Sequence, residues 1–575
     1  MKLEAPAAPA MYVPDSYGRN LYRVDPQYER LLQAYLPADL YAHLLPHLDR
    51  LGGLAGGRLD DLAATADRNP PVLHQRTRNG GDAQRIEKHP AYEELERWAY
   101  SEFGLAAMSH RGGVLGWSQP MPPAAKYALT FLFVQAEFGL CCPVSMTDSL
   151  TRTLRKFGDP ALVARFLPEL TSVDMDELAQ GAMFITEHGA GSDVGASLTT
   201  ARPAGDGSWL LDGDKWFCST PDAGFAMVLA RPEGAVAGTK GLALFLLPRT
   251  LADGSPNHYR ILRLKDKLGT RSMASGEIRL EGAVAYLVGD IDRGFVQMTD
   301  MINSSRLSNG VRAAGLMRRG LNEALFVARE RMAFGKRLID LPLMQRQLVK
   351  MMVRTEQART MMFQTAAALQ LADSGDPAGR GLVRIMTPLI KFRACRDART
   401  VAGDAMEVRG GCGYIEEWAE ARVVRDAMLG SIWEGTSNIV ALDVLRSIRK
   451  SDTANQLAAH WSRQLAGADL PAALRARFDA TLGRVTELAN WAAASQREEL
   501  ARQAATALYA ATTAVGMAWE AQQTGDARRL VLADLVLHHR LAARDPLGRE
   551  ADPAALYARL LSEEPMSRAE AGALG

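Results

Sequence analysis

The sequence predicts a mainly α-helical protein with a small β domain in the middle of the chain, an α+β fold of four parts. Three observations support this fold class. The chain has 575 residues, which is several typical domains. Short apolar runs with close turns are confined to residues 181–290, and helical periodicity dominates on either side. We therefore expect a helical domain over 1–180, a β domain over 181–290, a helical bundle over 291–450 and a helical extension over 451–575.

The composition excludes several functional classes. Forty-seven per cent of the residues are hydrophobic and 23% are charged, which allows a large core. The 67 Lys and Arg against 66 Asp and Glu give a net charge of +1, which argues against a globally basic nucleic-acid-binding protein. Five scattered cysteines without a CxxC pair predict a reducing, cytoplasmic location. The first twenty residues lack an apolar signal segment, and we expect no membrane span.

The first part, 1–180, is predicted to consist of helices separated by loops. Its strongest breaks are Pro70-Pro71, the segment RNGGD at 78–82 and the proline-rich segment 120–123. The apolar and aromatic segment 125–150 predicts a buried helix.

The second part, 181–290, is predicted to form a small β-sandwich or barrel. The turn dipeptides Asp206-Gly207 and Asp212-Gly213 separate short runs such as 208–211. Continuous apolar runs at 226–230 and 242–247 have the length of strands. Several short strands with close turns are typical of such folds.

The last two parts are predicted to be helical. Leu321, Ala324, Leu325 and Ala328 follow the spacing of a buried helix stripe. The segment ADSGDPAGRG at 372–381 predicts a loop between two long helices, and long helices of this kind suit an antiparallel bundle.

Three glycine-rich elements are the candidates for chemistry: TEHGAGSD at 186–193, RGGCGY at 409–414 and WEGTSN at 433–438. Glycines allow close backbone approach to a ligand, and free N–H groups at a helix start bind phosphate. Thr436 and Ser437 could equally be ordinary helix caps. Singly, each element is more often a turn than a site, and the Rossmann and P-loop patterns are not matched.

Together and in this order, the elements resemble the acyl-CoA dehydrogenase flavoprotein family. TEHGAGSD, KWFCS at 215–219 and KLG at 267–269 are similar to its middle domain. RMAFG at 331–335, GGCGY and IWEGTSNI are similar to its C-terminal bundle. KDKLGTRSMAS, AMEVRGGCGY and LDVLR resemble the AidB-like branch most closely. The resemblance implies FAD as cofactor, an acyl-CoA substrate, a homotetramer, an electron-transferring flavoprotein as acceptor, and a place in fatty-acid or amino-acid catabolism.

The resemblance also implies the reaction, the removal of hydrogen from the α and β carbons of an acyl thioester with Glu434 as the base. Trp433 and Ile432 are expected to form an apolar wall beside this glutamate. The alternative is a glutamate that only favours a helix dipole. One subgroup of the family carries its base just before an arginine of the long helix, where this chain has Ser305-Arg306, so Glu434 is the only candidate by motif.

The same resemblance assigns residues to the ligands. Arg331 and Phe334 would reach the FAD of a neighbouring subunit, whereas core packing competes as the interpretation of Phe217. Ser192, Arg306 and Asn438 are assigned to the acyl-CoA. The residues assigned to FAD are Thr186, Gly191, Ser192, Phe217, Ser219, Arg331, Phe334, Glu407, Gly410, Gly411, Thr436 and Asn438.

Alternative functions stay open. AidB-like proteins are associated with DNA and alkylation damage, so the basic clusters at 446–450 and Arg528-Arg529 could contact phosphates, although solvated helix charges are the simpler interpretation. A flavin oxidase or monooxygenase on this fold often lacks the glutamate that Glu434 provides. The ten histidines, His43 and His47 among them, predict no metal site.

Overall fold

The computed structural model describes residues 13–543, 545, 547 and 553–574. Helices form most of the N-terminal part and most of the chain after the β domain, and one short hairpin interrupts each of these parts. The α-helices are α1 (Pro26–Tyr35), α2 (Ala38–Ala55), α3 (Arg58–Arg68), α4 (Pro90–Glu96), α5 (Pro123–Phe133), α6 (Cys141–Phe157), α7 (Pro160–Leu170), α8 (Gly294–Glu330), α9 (Pro342–Asp373), α10 (Pro377–Arg409), α11 (Gly411–Tyr414), α12 (Ala419–Gly430), α13 (Ser437–Ser451), α14 (Thr453–Ala466), α15 (Ala472–Ala494), α16 (Ala501–Thr524), α17 (Arg528–Val536), α18 (Ala554–Leu561) and α19 (Arg568–Leu574). The strands are β1 (Val72–Arg76), β2 (Asp82–Glu87), β3 (Gly181–Phe184), β4 (Thr200–Pro203), β5 (Trp209–Ser219), β6 (Phe225–Pro232), β7 (Ala243–Pro248), β8 (Tyr259–Leu264), β9 (Ser275–Leu287), β10 (Met332–Ala333) and β11 (Lys336–Arg337).

The hairpin of β1 and β2 corrects the prediction that the first part holds only helices and loops. The strands pair antiparallel, and the RNGGD segment lies at their turn. Both strands are largely exposed and polar, so they carry no apolar alternation that the sequence could reveal. Gln84 Oε1 accepts a 2.7 Å hydrogen bond from Ile261 N of β8, which ties the hairpin to the β domain.

The buried segment 125–150 is two helices, α5 and α6, instead of the one that was predicted. The chain turns between them at 134–140, where Glu137 Oε1 accepts a 3.1 Å hydrogen bond from Leu140 N. The turn is as buried as the helices, so the apolar pattern continues through it and hides the break.

Strands β3 to β9 form the predicted β domain, and their pairing closes a barrel. The sheet order is β3-β6-β4-β5-β9-β7, and β6 also pairs with β7. The predicted strands at 226–230 and 242–247 are β6 and β7. Asp206-Gly207 lies in a turn as predicted, but Asp212-Gly213 lies inside β5 at a register shift against β9. The second dipeptide is therefore a bulge, and its prediction as a turn was wrong.

Helices α8, α9 and α10 form the core of the bundle. Leu321, Ala324, Leu325 and Ala328 are buried as predicted. The predicted loop at 372–381 is shorter than expected, because α9 continues to residue 373 and α10 begins at residue 377. Among the described residues, no helix is long and apolar enough to cross a bilayer.

The helices after residue 451 pack on the bundle through buried charges. Arg529 Nε donates a 2.9 Å hydrogen bond to Glu520 Oε2, and its Nη1 contacts Glu356 of α9. Arg528 and Arg529 have at most 1% of their surface exposed. Both interpretations of this pair, solvated charges and phosphate contacts, were therefore wrong. The acidic partners of Arg529 lie on other helices, and Arg528 donates to Met352 Sδ and Leu560 O, contacts that the local sequence does not show.

Candidate active site

Glu434 lies in the short turn between α12 and α13, in a strained backbone conformation. Its φ is +48°, and that of Gly435 is +102°. Lys391 Nζ holds both ends of the turn, because it donates to Gly430 O at 2.6 Å and to Gly435 O at 3.3 Å. Arg306 Nε donates to the Glu434 carbonyl at 3.0 Å. Two cations therefore support a conformation that costs a non-glycine residue on the order of 1–3 kcal/mol.

The Glu434 carboxylate faces α8 and is oriented by two side chains of that helix. Ser305 Oγ donates to its Oε1 at 2.8 Å, and Asn309 Nδ2 donates to its Oε2. Ser305 and Asn309 are four residues apart, so they share one helix face. Sequence analysis singled out Ser305 but missed Asn309, which the four-residue spacing on a predicted helix could have indicated.

Arg306 is anchored by an acidic side chain next to the Glu434 turn. Its Nη1 lies 2.8 Å from Asp443 Oδ2, and Arg384 Nη2 lies 2.6 Å from Asp443 Oδ1. Burial pushes the pKa of Asp443 up, but Arg384 and Arg306 bring it below its usual range. The contacts of Arg306 make it a support of the turn, and its contact with substrate stays a prediction.

Trp433 forms the apolar wall predicted beside Glu434. Its ring stacks on Phe138 with 5.8 Å between ring centres and 18° between planes. Ile432, in contrast, is 58% exposed, and its part in the wall stays a prediction.

The barrel brings the TEHGAGSD and KWFCS segments together. Trp216 N donates to Thr186 O at 2.8 Å, and the rings of His188 and Trp216 lie 4.6 Å apart. The same two segments also form a buried ion pair, in which Lys215 Nζ lies 2.7 Å from Glu187 Oε1. Sequence analysis missed this ion pair. Burial raises the pKa of Glu187, but Lys215 brings it below its usual range, so this carboxylate stays ionised.

Phe217 and Ser219 lie near the end of β5 on the same face, with buried Cys218 between them on the opposite face. The Phe217 ring is 56% exposed, with the Lys265 ammonium 4.8 Å from its centre, so core packing does not explain it. Ser219 contacts the thiol of Cys142. Burial raises the pKa of the Cys142 thiol, and the negative charge of Glu434 raises it further. Arg312 and the hydrogen bond with Ser219 act in the opposite direction and lower this pKa. Ser219 and Glu434 therefore border the same region.

The KLG segment of the barrel docks on α12, the helix before the Glu434 turn. Thr270 N donates to Asp426 Oδ1 at 2.6 Å. A Cβ at Gly269 would come within 2.6 Å of the α12 backbone, so only glycine fits there. Burial, reinforced by Glu137, raises the pKa of Asp426 to about 7.

The glycine loop at 188–193 presents its backbone to the surroundings. Gly191 and Ser192 are exposed, and a Cβ at Gly189 or Gly191 would meet no atom within 4 Å. The loop is closed by a 3.0 Å hydrogen bond from Glu187 N to Ala190 O. Such a loop can accept a phosphate group at its N–H groups without steric hindrance.

At the start of α13, Thr436 and Asn438 are exposed. Thr436 occupies the N-cap position, but its side chain makes no capping hydrogen bond. The hydroxyl of Ser437 accepts a 3.3 Å hydrogen bond from Arg396 Nη1 of α10. Capping alone therefore does not account for these hydroxyl groups.

Arg331 and Glu407 form a second cluster of assigned residues, around the end of α10. Arg331 Nη1 donates to Arg409 O at 3.2 Å, and a Cβ at Gly410 would lie 3.5 Å from it. Glu407 is exposed and accepts a 3.1 Å hydrogen bond from Gln347 Nε2. Gly411 is exposed beside them.

Phe334 extends from this cluster on the hairpin of β10 and β11. Phe334 and Gly335 form the two-residue turn, with φ of +51° and +75°. The Phe334 ring is 93% exposed. A large apolar side chain held out on a turn is typical of a surface that another molecule covers.

The two clusters lie far apart within one chain. Lys391 contacts the Glu434 turn, whereas Arg409 and Gly410 mark the end of the same helix, α10. At 1.5 Å per residue, the eighteen residues between these points span about 27 Å. In one chain, the Arg331 cluster therefore does not reach the atoms around Glu434.

Comparison with protein families finds matches to three consecutive models. Residues 12–177 match the N-terminal domain of the adaptive response protein AidB. Residues 182–283 match the middle domain of acyl-CoA dehydrogenases, and residues 292–449 match their C-terminal domain.

Individual relatives are similar over most of their length. Acyl-CoA dehydrogenase family member 11 of Caenorhabditis elegans is 31% identical over 437 residues, which cover 74% of this chain and 70% of that protein. AidB of Escherichia coli K12 is 34% identical over 402 residues, or 68% of this chain and 71% of that protein. The crystal structure of C. elegans ACDH-11 in complex with C11-CoA has a TM-score of 0.86 at 25% identity, and 95% of each chain is covered.

Proposed function

Since the chain belongs to the acyl-CoA dehydrogenase family, whose members are FAD-dependent acyl-CoA oxidoreductases, we propose that it removes the α and β hydrogens of an acyl-CoA thioester with Glu434 as the base. The observation that carries this proposal is the Glu434 carboxylate, held by Ser305 and Asn309 beside the stacked ring of Trp433. A base needs this combination of fixed orientation and partial exclusion of water.

The residues on the barrel side fit FAD. An aromatic ring that is 56% exposed on a barrel strand, Phe217, suits a flat isoalloxazine ring. The open backbone at Gly191 and Ser192 suits the diphosphate, and the hydroxyls of Thr186 and Ser219 supply donors near the ring. FAD, when bound, accepts the β hydrogen as hydride.

The chain's own residues would handle the proton. Glu434 would take the α proton at its carboxylate, and Trp433 would keep water from one side of that carboxylate. Lys391 and Arg306 would hold the turn while the charge on Glu434 changes, because they bind its backbone rather than its carboxylate. Thr436 and Asn438, exposed just after the base, are placed to contact FAD or acyl-CoA, and Ser192 to contact both.

The second cluster supports a cofactor site shared between subunits. Arg331 and the Gly410 turn lie about 27 Å along α10 from the Glu434 turn, too far to serve the same part of one cofactor. We assign Arg331, Phe334, Glu407, Gly410 and Gly411 to FAD bound by a neighbouring copy. The arginine fork suits a diphosphate. This requires at least a dimer, and we propose the family's homotetramer with an electron-transferring flavoprotein as acceptor.

The test is an anaerobic titration of the purified yellow protein with a panel of acyl-CoAs, followed by flavin absorbance. Rapid bleaching by one class of acyl chain is the expected result and identifies the substrate class. If no acyl-CoA bleaches the flavin while FAD is bound, the proposed dehydrogenation is wrong.

A groove between the bundle and the helical extension favours a second candidate function, association with DNA. The groove has a volume of about 640 Å³ and is lined by Arg393 of α10, Arg484 of α15, Arg502 of α16 and Arg540. No carboxylate is among the described residues that line it. Arg393 is paired with Asp397 of its own helix at 2.5 Å, whereas Arg484 and Arg502 have no ion pair among the described residues. Clustered cations of this kind favour phosphate contacts.

This second candidate is tested by fluorescence anisotropy with duplex DNA at two salt concentrations. Salt-sensitive binding that is lost in an Arg484→Glu/Arg502→Glu variant would support it. Absence of binding, or binding that the variant leaves unchanged, would exclude this groove as a DNA-binding surface.

A further inference from the structure

Arg312 of α8 is a buried cation without an anionic partner. Its side chain is 0% exposed, and its Nη1 and Nη2 make no hydrogen bond. Its Nε makes one long contact, 3.4 Å to Ser308 O. Among the described residues, no carboxylate forms an ion pair with it. Burying an unpaired charge costs several kcal/mol, so a permanent structural role is an expensive explanation.

The neighbouring cations, in contrast, are satisfied. Lys391 donates to two carbonyl oxygens of the Glu434 turn, and Arg306 binds Asp443 and the Glu434 carbonyl. Arg312 is the cation of this group whose two terminal nitrogens have no acceptor among the described residues. Of these three cations, only Arg312 therefore has terminal nitrogens without an acceptor in the described part of the chain, and two nearby polar atoms, Asn309 Oδ1 and Trp433 Nε1, are buried there without a partner as well.

Arg312 lies on the face of α8 that carries the partners of the base. It follows Asn309 by three residues and Ser305 by seven, so the three side chains share one helix face. The rise from Ser305 to Arg312 is about 10 Å. A ligand whose reacting carbon is beside Glu434 would therefore meet Arg312 with a more distant part of the same molecule.

Two aromatic rings and the thiol of Cys142 surround the Arg312 guanidinium. The guanidinium carbon lies 4.6 Å from the ring centre of Trp433 and 5.4 Å from that of Phe138. At these distances the rings contact the guanidinium as in cation–π pairs, which do not supply hydrogen-bond acceptors for its N–H groups. The N–H groups lie in the plane, in a fork that matches a carboxylate with two parallel hydrogen bonds.

We propose that Arg312 binds a carboxylate at the far end of the acyl group, so that the preferred substrates are CoA monothioesters of short to medium dicarboxylic acids. This inference rests on the proposed function, which places the acyl carbons beside Glu434. An anion is favoured over a neutral acceptor because only an anion neutralises the buried charge.

The first test compares the wild-type holoprotein's affinity for matched thioesters. Isothermal titration under anaerobic conditions would use succinyl-, glutaryl-, adipyl- and suberyl-CoA against butyryl-, valeryl-, hexanoyl- and octanoyl-CoA. At least one diacid thioester is expected to bind about tenfold or more tightly than the methyl-ended thioester of the same chain length. This difference in affinity is the size expected for one charge-assisted hydrogen-bonded pair. Equal or weaker binding of every diacid would overturn the proposal, and this result needs no variant to fold.

The second test uses Arg312→Met, which keeps the length of the side chain and removes its charge, with Arg380→Met on the exposed surface as the control. Arg312→Met is expected to lose the preference for the diacid thioester, whereas Arg380→Met keeps it. An unchanged preference in Arg312→Met would also overturn the proposal. Thermal melting and flavin content of both variants show whether a loss reflects unfolding.

The outcomes separate this inference from the proposed function. Tight binding of diacid thioesters without flavin bleaching would leave the specificity standing and reject the dehydrogenation. Flavin bleaching by methyl-ended thioesters, with no tighter binding of the diacid thioesters, would support the dehydrogenation and reject the specificity for diacids.

Discussion

Ser305 and Glu434 are joined by a 2.8 Å hydrogen bond, although 129 residues separate them in the chain. The family resemblance predicts that Ser305 corresponds to the position of the base in one subgroup of the family, and that Glu434 corresponds to its position in the remaining members. The two positions therefore share one location in space. A proton taken by a carboxylate at either position would come from nearly the same point.

The first prediction concerns the proposed base. Glu434→Gln keeps the shape of the side chain, so the variant should fold and retain FAD, but turnover should fall by about a hundredfold or more. The measurement is flavin bleaching together with exchange of the α proton of a bound acyl-CoA in D₂O. Glu417→Gln, an exposed glutamate after the GGCGY segment, serves as the control. Exchange at the wild-type rate in Glu434→Gln would show that another group is the base.

The second prediction moves the carboxylate to α8. Ser305→Glu combined with Glu434→Gln should recover at least about tenfold of the lost bleaching rate, because the new carboxylate starts from the contact point of Ser305 Oγ. Ser304→Glu with Glu434→Gln is the matched control, since residue 304 is rotated about 100° around the helix. Equal rates in the two double variants would contradict the shared location.

How much of the fold could be predicted depended on whether one local pattern dominated each segment. β6 and β7 are continuous apolar runs, and the Leu321 stripe repeats with helical spacing, so these elements were predicted correctly. The hairpin of β1 and β2 is polar, so its sequence does not indicate strands. The turn at 134–140 is apolar, so its sequence indicates a continuous buried helix. Asp212-Gly213 has the composition of a turn, but its long strand tolerates the bulge.

The candidate site divides in the same way. Residues inside motifs, such as Glu434 and Phe217, could be named from the sequence. Lys391 and Arg312 could not, because they lie on the helices α10 and α8 with no motif around them. Only its four-residue spacing from Ser305 could have indicated Asn309. Asn309 contacts Glu434 across 125 residues, and a contact at that separation depends on helix packing rather than local pattern.

The third prediction tests the shared cofactor site. Arg331→Ala should lower flavin occupancy, because it removes the guanidinium next to the Gly410 turn. The measurement is the ratio of flavin to protein absorbance after gel filtration at several protein concentrations. Arg337→Ala, which removes an exposed arginine from the same hairpin, should leave occupancy unchanged. Unchanged occupancy in Arg331→Ala would count against a cofactor reached from a neighbouring subunit.

The fourth prediction concerns the pH dependence of stability. Burial raises the pKa of Asp426 from 3.8 to about 7, so the fold favours its protonated form. Its contribution to stability is full below about pH 3.8 and is lost as the pH rises through about 7. Asp426→Asn keeps an acceptor for Thr270 N and cannot ionise, so it should match the wild type near pH 4 and be more stable at pH 8.

Thermal melting from pH 4 to pH 8 measures this difference, which is on the order of a few kcal/mol at about 1.4 kcal/mol per pKa unit. Asp292→Asn removes an exposed aspartate before α8 and should change nothing. A difference between Asp426→Asn and the wild type that stays constant with pH would show that Asp426 does not titrate in this range.

The fifth prediction assigns the extension after residue 451 a stabilising role through Glu520. This carboxylate is 0% exposed and accepts hydrogen bonds from Arg529 Nε and Tyr35 Oη at 2.9 Å and from Thr360 Oγ1 at 3.0 Å. It thereby connects α16 with α17, α1 and α9. In Glu520→Gln, Arg529 stays buried but loses one of its carboxylate partners. The free energy of unfolding should therefore fall by about 3–5 kcal/mol.

The Glu520→Gln variant should therefore melt at a lower temperature, and amide exchange should accelerate first in α16 and α17. The exposed Glu498→Gln serves as its control. A melting temperature equal to that of Glu498→Gln would mean that the buried charges around Glu520 do not stabilise the docking of the extension. Helix α9 contacts both α16 of the extension and α8, the helix that orients Glu434. If amide exchange in Glu520→Gln also accelerates around Ser305 and Asn309, the extension therefore supports α8 as well.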